Sequence, residues 1–436
     1  MRRPGLRLDQ APPLHLPLRF FLTAPLFGMG AGVLLIRSGS AGMTTPWALE
    51  TLVMTHFITL GFISMVMVGA LYQITPVLLG SPVPWVGLAR WVHLGLTLGI
   101  AAMAGGLLTL SPLLLSLALI VLLSAFLIFF LQMFAALLRV SSLTATAVSV
   151  GVAVGSLALT VPLGLLFLGE YGFGWLGLER WTLTAVHIYL ALGGWVGAMI
   201  TGVGQVVIPM FYLSGSFPRP QARSVLAGLV LLVVSGTGTA FFAPSTRWHL
   251  LPLGFAAFSV AVFILAVHKM LRGRKRKVVD PTLRCWQLGM ICVPWSLAAL
   301  AVYTLLPEPR WLLVFGVLYL LGFATPIIIG MLYKIVPFLI WLHRYSHLAG
   351  NADVPLMRDI IPPRFPQWQW WSHLAMVVLL AGAALTAGDA LTRLAGALLT
   401  LSCGGLFVIL LNAARIKVLP VEAEQPPPPP RPDEQE

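Results

Sequence analysis

Stretches of about 20 apolar residues separated by short polar turns recur along the whole chain, and that is the length that crosses the hydrocarbon core of a bilayer. Twelve can be counted, with centres near residues 28, 62, 100, 126, 158, 195, 233, 260, 296, 322, 380 and 404. Composition agrees: of 436 residues, 58% are hydrophobic and 9% charged, against roughly 25% charged in soluble domains. Mean hydropathy is +0.92. The chain is expected to be an all-α integral membrane protein, which excludes soluble enzymes, nucleic-acid binders and disulfide scaffolds. Its first apolar run has no cleavage-type signal before it and is long enough to remain as a span.

The formal charge of +13 matters through its position. Twelve spans place both ends of the chain on one side, and alternating the loops puts 21 of the 27 Lys and Arg there, including Arg2, Arg3, Arg7 and the cluster Arg272, Arg274, Lys275, Arg276 and Lys277. Five lie on the other side (Arg37, Arg180, Arg247, Arg310 and Arg393), and Lys334 falls inside a span. The positive-inside rule then predicts cytoplasmic termini, and the cluster reads as a topology signal. The expected location is a bacterial inner (cytoplasmic) membrane, with the lipid bilayer as the main partner and no nucleic acid.

Residues 1–417 read as a single transmembrane domain. Residues 418–436, with five consecutive prolines and no apolar face, read as a disordered Pro-rich cytoplasmic tail. The polar stretch from His343 to Trp368 carries Asn351, Asp353, Arg358, Asp359 and Arg364 and is expected to be a cytoplasmic loop. Cys285, Cys292 and Cys403 all lie in apolar runs, as small core residues.

An internal repeat organises the spans. LGFISMVMVGALYQITP, GGWVGAMITGVGQVVIP and LGFATPIIIGMLYKIVP share two glycines and a proline at steps of 8 and 7: Gly61, Gly69, Pro76; Gly194, Gly202, Pro209; Gly322, Gly330, Pro337. Each segment is the second of four spans, which predicts three four-helix repeats, approximately 15–139, 145–272 and 284–416. WVHLGL around His93 and WSHLAM around His373 answer one another in the first and third repeats. The glycines are read as helix-packing positions and each proline as the place where its span ends.

A twelve-helix, three-times-four arrangement resembles the subunit I superfamily of the haem-copper oxidases, with the nitric oxide reductases and the NnrS family of haem- and copper-containing membrane proteins. The segment HFITLGFISMVMVGALYQITPVLLGSP is similar to the second helix of that superfamily, although NnrS-type proteins carry an extra His and an acidic residue where Met54 and Phe57 stand. The resemblance implies a pseudo-threefold fold, b-type haem, possible copper and a role in nitric oxide or nitrosative-stress handling. The departures bear on activity. The sixth span offers only His187, and the seventh and tenth offer no His within the bilayer, so a complete haem-copper centre has no ligand set. No CxxCH attachment motif is present. If the chain is an enzyme it is a membrane oxidoreductase, not a conventional terminal oxidase.

His56 and His187 are the candidate cofactor- and metal-binding residues. Both fall about one and a half turns into their spans from the non-cytoplasmic side, where an ionisable group needs a partner or a cavity. The bland alternative is an imidazole bonded to a nearby carbonyl or to Tyr189. His56 stands 20 residues before Pro76 and His187 22 before Pro209, an offset of two residues or roughly 200° around a helix. One arrangement holds a single bis-His haem between the second and sixth spans; the other sets the rings back to back in separate sites. A redox partner would dock on that outer face.

His343 and His347 could chelate a metal only if their segment stays helical, and His93 and His373 read as interfacial. Gln73, Gln205 and Lys334 lie near the cytoplasmic ends, where Lys334 is expected to snorkel and no intramembrane carboxylate relay is evident. The competing functions are a secondary transporter, against which a direct threefold repeat argues, and a cofactor-free membrane assembly or structural protein.

Overall fold

The computed structural model describes residues 10–174, 180–243, 246–275, 278–348 and 354–416. The Pro-rich tail, Arg2, Arg3, Arg7, Arg276, Lys277, Asn351 and Asp353 lie outside the described residues. Twelve helices long and apolar enough to span a membrane follow one another: α1 (His15–Met43), α2 (Leu49–Leu79), α3 (Val86–Thr109), α4 (Pro112–Leu137), α5 (Ala145–Phe173), α6 (Arg180–Tyr212), α7 (Arg219–Phe242), α8 (Arg247–Arg272), α9 (Pro281–Leu305), α10 (Pro309–Arg344), α11 (Arg364–Thr386) and α12 (Asp389–Arg415). Side chains such as Leu113 (78% exposed), Ile120 and Leu127 stand outward on α4. A continuous apolar exterior of this kind suits lipid and not water.

Local chemistry sets several boundaries. Ser111, Thr144 and Asp280 accept hydrogen bonds from the first-turn amides of α4, α5 and α9. Pro112 and Pro281 sit in the first turns of α4 and α9, where no amide hydrogen is needed. The repeated prolines do not end their helices. Helix continues to Leu79, Tyr212 and Arg344, beyond Pro76, Pro209 and Pro337. Proline disturbs the turn before it and removes one donor, while the carbonyls of that turn remain free to accept from later amides. Between α10 and α11 the polar stretch contains a short helix, Met357–Ile360.

Three spans form the interior. Of the most apolar 18 residues of α10, 83% are buried, with 67% for α2 and 56% for α6, while no other span exceeds 50%. Each inner span contains a π-helical segment: Phe57–Ser64 in α2, Tyr189–Gly197 in α6 and Val317–Ala324 in α10. The segments meet one another. Trp195 Nε1 donates to Ser64 Oγ at 2.9 Å, Tyr319 hydroxyl donates to the Leu192 carbonyl at 2.7 Å, and the α2 and α10 segments pack directly. A π turn leaves carbonyls without their usual helical amides, and side chains of neighbouring spans take them up. His373 Nε2 donates to the Leu321 carbonyl at 2.8 Å for the same reason.

The repeated step of eight between paired glycines has a packing cause. Phe27 and Phe20 of α1 abut Gly61 and Gly69; Ser156 and Ser149 of α5 abut Gly194 and Gly202; Cys292 and Cys285 of α9 abut Gly322 and Gly330. A methyl group at any of the six glycines would fall within 2.8 Å of its facing side chain. The facing residues are seven apart, two helical turns, whereas the glycines are eight apart because one of each pair lies within a π segment, which inserts an extra residue. All three cysteines are buried free thiols. The bundle closes where α1 meets α12 with Gly32 against Gly396.

Candidate functional site

α2 and α6 are joined at two levels. Near their first residues Trp47 and Trp181 make an edge contact with ring centroids 5.3 Å apart, and deeper in, Ser64 and Trp195 share their hydrogen bond. His56 and His187 lie between these two clasps. Each stands eight residues before its clasp residue, His56 before Ser64 and His187 before Trp195. The two imidazoles therefore stand at matched positions of α2 and α6, between the same two clasps.

Each ring is held through the same atom. His56 Nδ1 donates to the Leu52 carbonyl one turn back at 2.8 Å, and His187 Nδ1 donates across to the Thr160 carbonyl of α5 at 3.1 Å. A neutral imidazole that donates from Nδ1 carries its lone pair on Nε2. Neither Nε2 has a protein hydrogen-bond partner among the described residues. Both rings are half-buried. His187 is further fixed by Phe167, edge-on at 5.8 Å, and by Gly164, where an added methyl would sit 3.2 Å from its Cε1.

Tyr189 does not partner His187. Its hydroxyl lies 2.7 Å from His249 Nδ1 and the two rings stack, tying the π segment of α6 to the start of α8. Thr160, Gly164 and the Ser64–Trp195 clasp are site residues that carry no motif. Only the matched offset of eight, set against a tryptophan in one span and a serine in the other, hints at them in the sequence.

The other candidates are engaged elsewhere. His343 uses both ring nitrogens, Nδ1 toward the Leu339 carbonyl at 2.9 Å and Nε2 toward the Pro12 carbonyl at 3.1 Å. The helix ends at Arg344, so His347 does not follow it on the same face. His373 is buried, 1% exposed, and bridges α11 to α10. His93 Nε2 pairs with the Thr23 hydroxyl at 2.8 Å. Among the described residues no three His, Cys, Asp or Glu side chains gather as a metal-ligand group.

On the face where α1 begins and α12 ends, Lys334 does not snorkel outward. It forms an ion pair with Asp280 at 2.6 Å, both side chains less than one-fifth exposed, with the Lys334 ammonium 5.6 Å from the centre of the Tyr212 ring. Burial raises the Asp280 carboxyl, but the Lys334 charge and hydrogen bonds from Lys334, Thr282 and the Leu283 amide outweigh it, so the group sits below its ordinary value. Sequence separation of 54 residues concealed this pair. Gln73 is buried with no partner for either amide atom among the described residues, and the Gln205 Nε2 likewise has none.

Neither any family model nor any curated protein sequence matches the chain.

Proposed function

We propose that the protein is a haem-binding multi-pass membrane protein in which His56 and His187 would together hold one b-type haem between α2 and α6. The observation that carries this reading is the hydrogen bond that each imidazole makes through Nδ1 to a backbone carbonyl. Ligating histidines characteristically donate their second ring N–H to a carbonyl or carboxylate, which fixes the tautomer and makes the ligating nitrogen more basic. Both rings have that support through Nδ1, from the Leu52 and Thr160 carbonyls, and both keep Nε2 for a metal.

The donor set suits iron in haem better than copper. A haem brings four ring nitrogens of its own and would need only the two neutral imidazoles of His56 and His187 from the chain. Copper in the related oxidases takes three imidazoles, and no third ligand is grouped here among the described residues. A bound haem would supply one-electron redox chemistry. The chain contributes orientation through Leu52, Thr160 and Phe167, and spacing through the Ser64–Trp195 and Trp47–Trp181 clasps.

The three-times-four architecture and kinship with the haem-copper oxidase and NnrS branch belong to the same proposal. They are supported by the three π segments and the three matched glycine pairings of α1–α2, α5–α6 and α9–α10. With cytoplasmic termini in a bacterial inner membrane, the haem lies toward the outer face, where a redox partner would dock. Nitric oxide is the small molecule this kinship suggests. Haem extraction from the purified full chain tests the reading: about one haem per chain is expected. Protein free of haem after expression in haem-replete cells overturns it and leaves a transporter or a cofactor-free assembly protein.

A further inference from the structure

A cavity lies where α1 and α3 begin. It has a volume of about 600 Å³ and is bounded by His15, Arg19 and Arg90, with apolar walls from Leu16, Trp85, Val86 and Leu88. Arg19 and Arg90 make no ion pair with a carboxylate among the described residues. Their arrangement is amphiphilic: two guanidinium groups and an imidazole beside hydrocarbon and an indole, at the level where spans leave the bilayer.

The wall is held in place at a conformational cost. Trp85 adopts a left-handed backbone conformation, φ 48° and ψ 39°, which non-glycine residues rarely occupy, and its side chain is 66% exposed. Strain of this kind persists only where the surroundings enforce it. The enforcing group is Gln132, fully buried in α4. Its Nε2 donates to the Pro84 carbonyl at 3.1 Å and to the Trp85 carbonyl at 2.8 Å, and its Oε1 accepts from the Tyr72 hydroxyl of α2 at 2.6 Å. A buried amide and an inner-span tyrosine thus hold an exposed indole over a basic, apolar-walled cavity.

We propose that this cavity binds the headgroup of an anionic phospholipid, with the phosphate against Arg19 and Arg90 and an acyl chain along Leu16, Val86 and Leu88. Planar guanidinium groups match phosphate oxygens in pairs. Tryptophan and arginine at the interface place their apolar parts against lipid and their polar ends toward headgroups. This site is independent of the haem proposal, since its lining comes from the starts of α1 and α3 and includes neither α2 nor α6.

The test is native mass spectrometry of the delipidated full chain titrated with phosphatidylglycerol, phosphatidylcholine or inorganic phosphate. One phosphatidylglycerol should be retained at least about tenfold better than phosphatidylcholine, and phosphate alone should not compete at millimolar concentration. Removing each guanidinium should weaken retention roughly fivefold, so Arg19→Gln with Arg90→Gln should lose most of it. Arg139→Gln with Arg223→Gln, exposed arginines outside the cavity, should change nothing. Trp85→Gly should keep or raise the melting temperature, because it relieves the left-handed backbone, while reducing lipid retention. Equal retention of the two lipids, an unaffected Arg19/Arg90 variant, full competition by phosphate, or undiminished retention in Trp85→Gly would overturn the proposal.

Discussion

Ser64 and Trp195 share a 2.9 Å hydrogen bond between two π-helical segments, and each stands eight residues after a histidine whose Nδ1 donates to a backbone carbonyl. One cross-span contact thereby sets the level of both imidazoles. Ser64→Ala deletes only the accepting hydroxyl and keeps the buried indole, and a neutral hydrogen bond of this kind contributes about 1 kcal/mol. Its stability cost should be small. Its effect on the bound haem should be larger, because α2 and α6 lose their register, and a broadened optical or electron-paramagnetic spectrum relative to wild type is the expected readout. An unchanged spectrum would show that the clasp does not position the ligands.

Gly164 tests the same site from α5. A side chain at this position presses on His187 at Cε1, the atom between the two ring nitrogens. Gly164→Val should tilt the imidazole away from the Thr160 carbonyl and lower haem occupancy several-fold, while Gly155→Val, at an open position on the same helix, should leave it unaltered. Haem-to-protein absorbance ratios of the two variants make the comparison.

The paired glycines predict a graded loss of stability. Gly61→Ala, Gly194→Ala and Gly322→Ala each force a methyl into a facing side chain, and overpacking of this kind costs about 1–3 kcal/mol. Gly322→Ala should be mildest, since its methyl would lie 2.8 Å from Cys292, and Cys292→Ala combined with it should restore part of the loss. Thermal unfolding in detergent reads the order.

The Asp280–Lys334 pair predicts a pH dependence. Asp280 titrates below its ordinary value of 3.8, so its contribution to stability is complete above that value and disappears as pH falls through the lowered one. Wild-type protein should therefore lose melting temperature in acid more steeply than Asp280→Asn. At neutral pH the variant should be less stable by about 2 kcal/mol, less than the full cost of stranding a completely buried charge.

Much of this architecture is written in residue pattern. Twelve apolar runs specify the spans because a bilayer admits little else, and His56 and His187 stand out because an imidazole at that depth is unusual. The π segments were not legible: nothing in FITLGFIS or VLYLLGFA differs in propensity from ordinary helix, and the extra residue shows only as a glycine step of eight facing a step of seven on the neighbouring span. Prolines misled in the opposite direction, since a proline breaks the turn before it and helix runs on past Pro76, Pro209 and Pro337. Long-range partners such as Asp280 for Lys334, or the Leu321 carbonyl for His373, depend on tertiary packing and leave no local trace.

The most direct test of the central claim is the reduced-minus-oxidised optical spectrum of the purified full chain, recorded for wild type, His56→Ala and His187→Ala. A low-spin, bis-imidazole spectrum in wild type that is lost or converted to high spin in each single variant is the predicted result. A wild-type Soret band that survives unchanged in either variant, or no Soret band at all, would contradict the assignment of His56 and His187 to one haem.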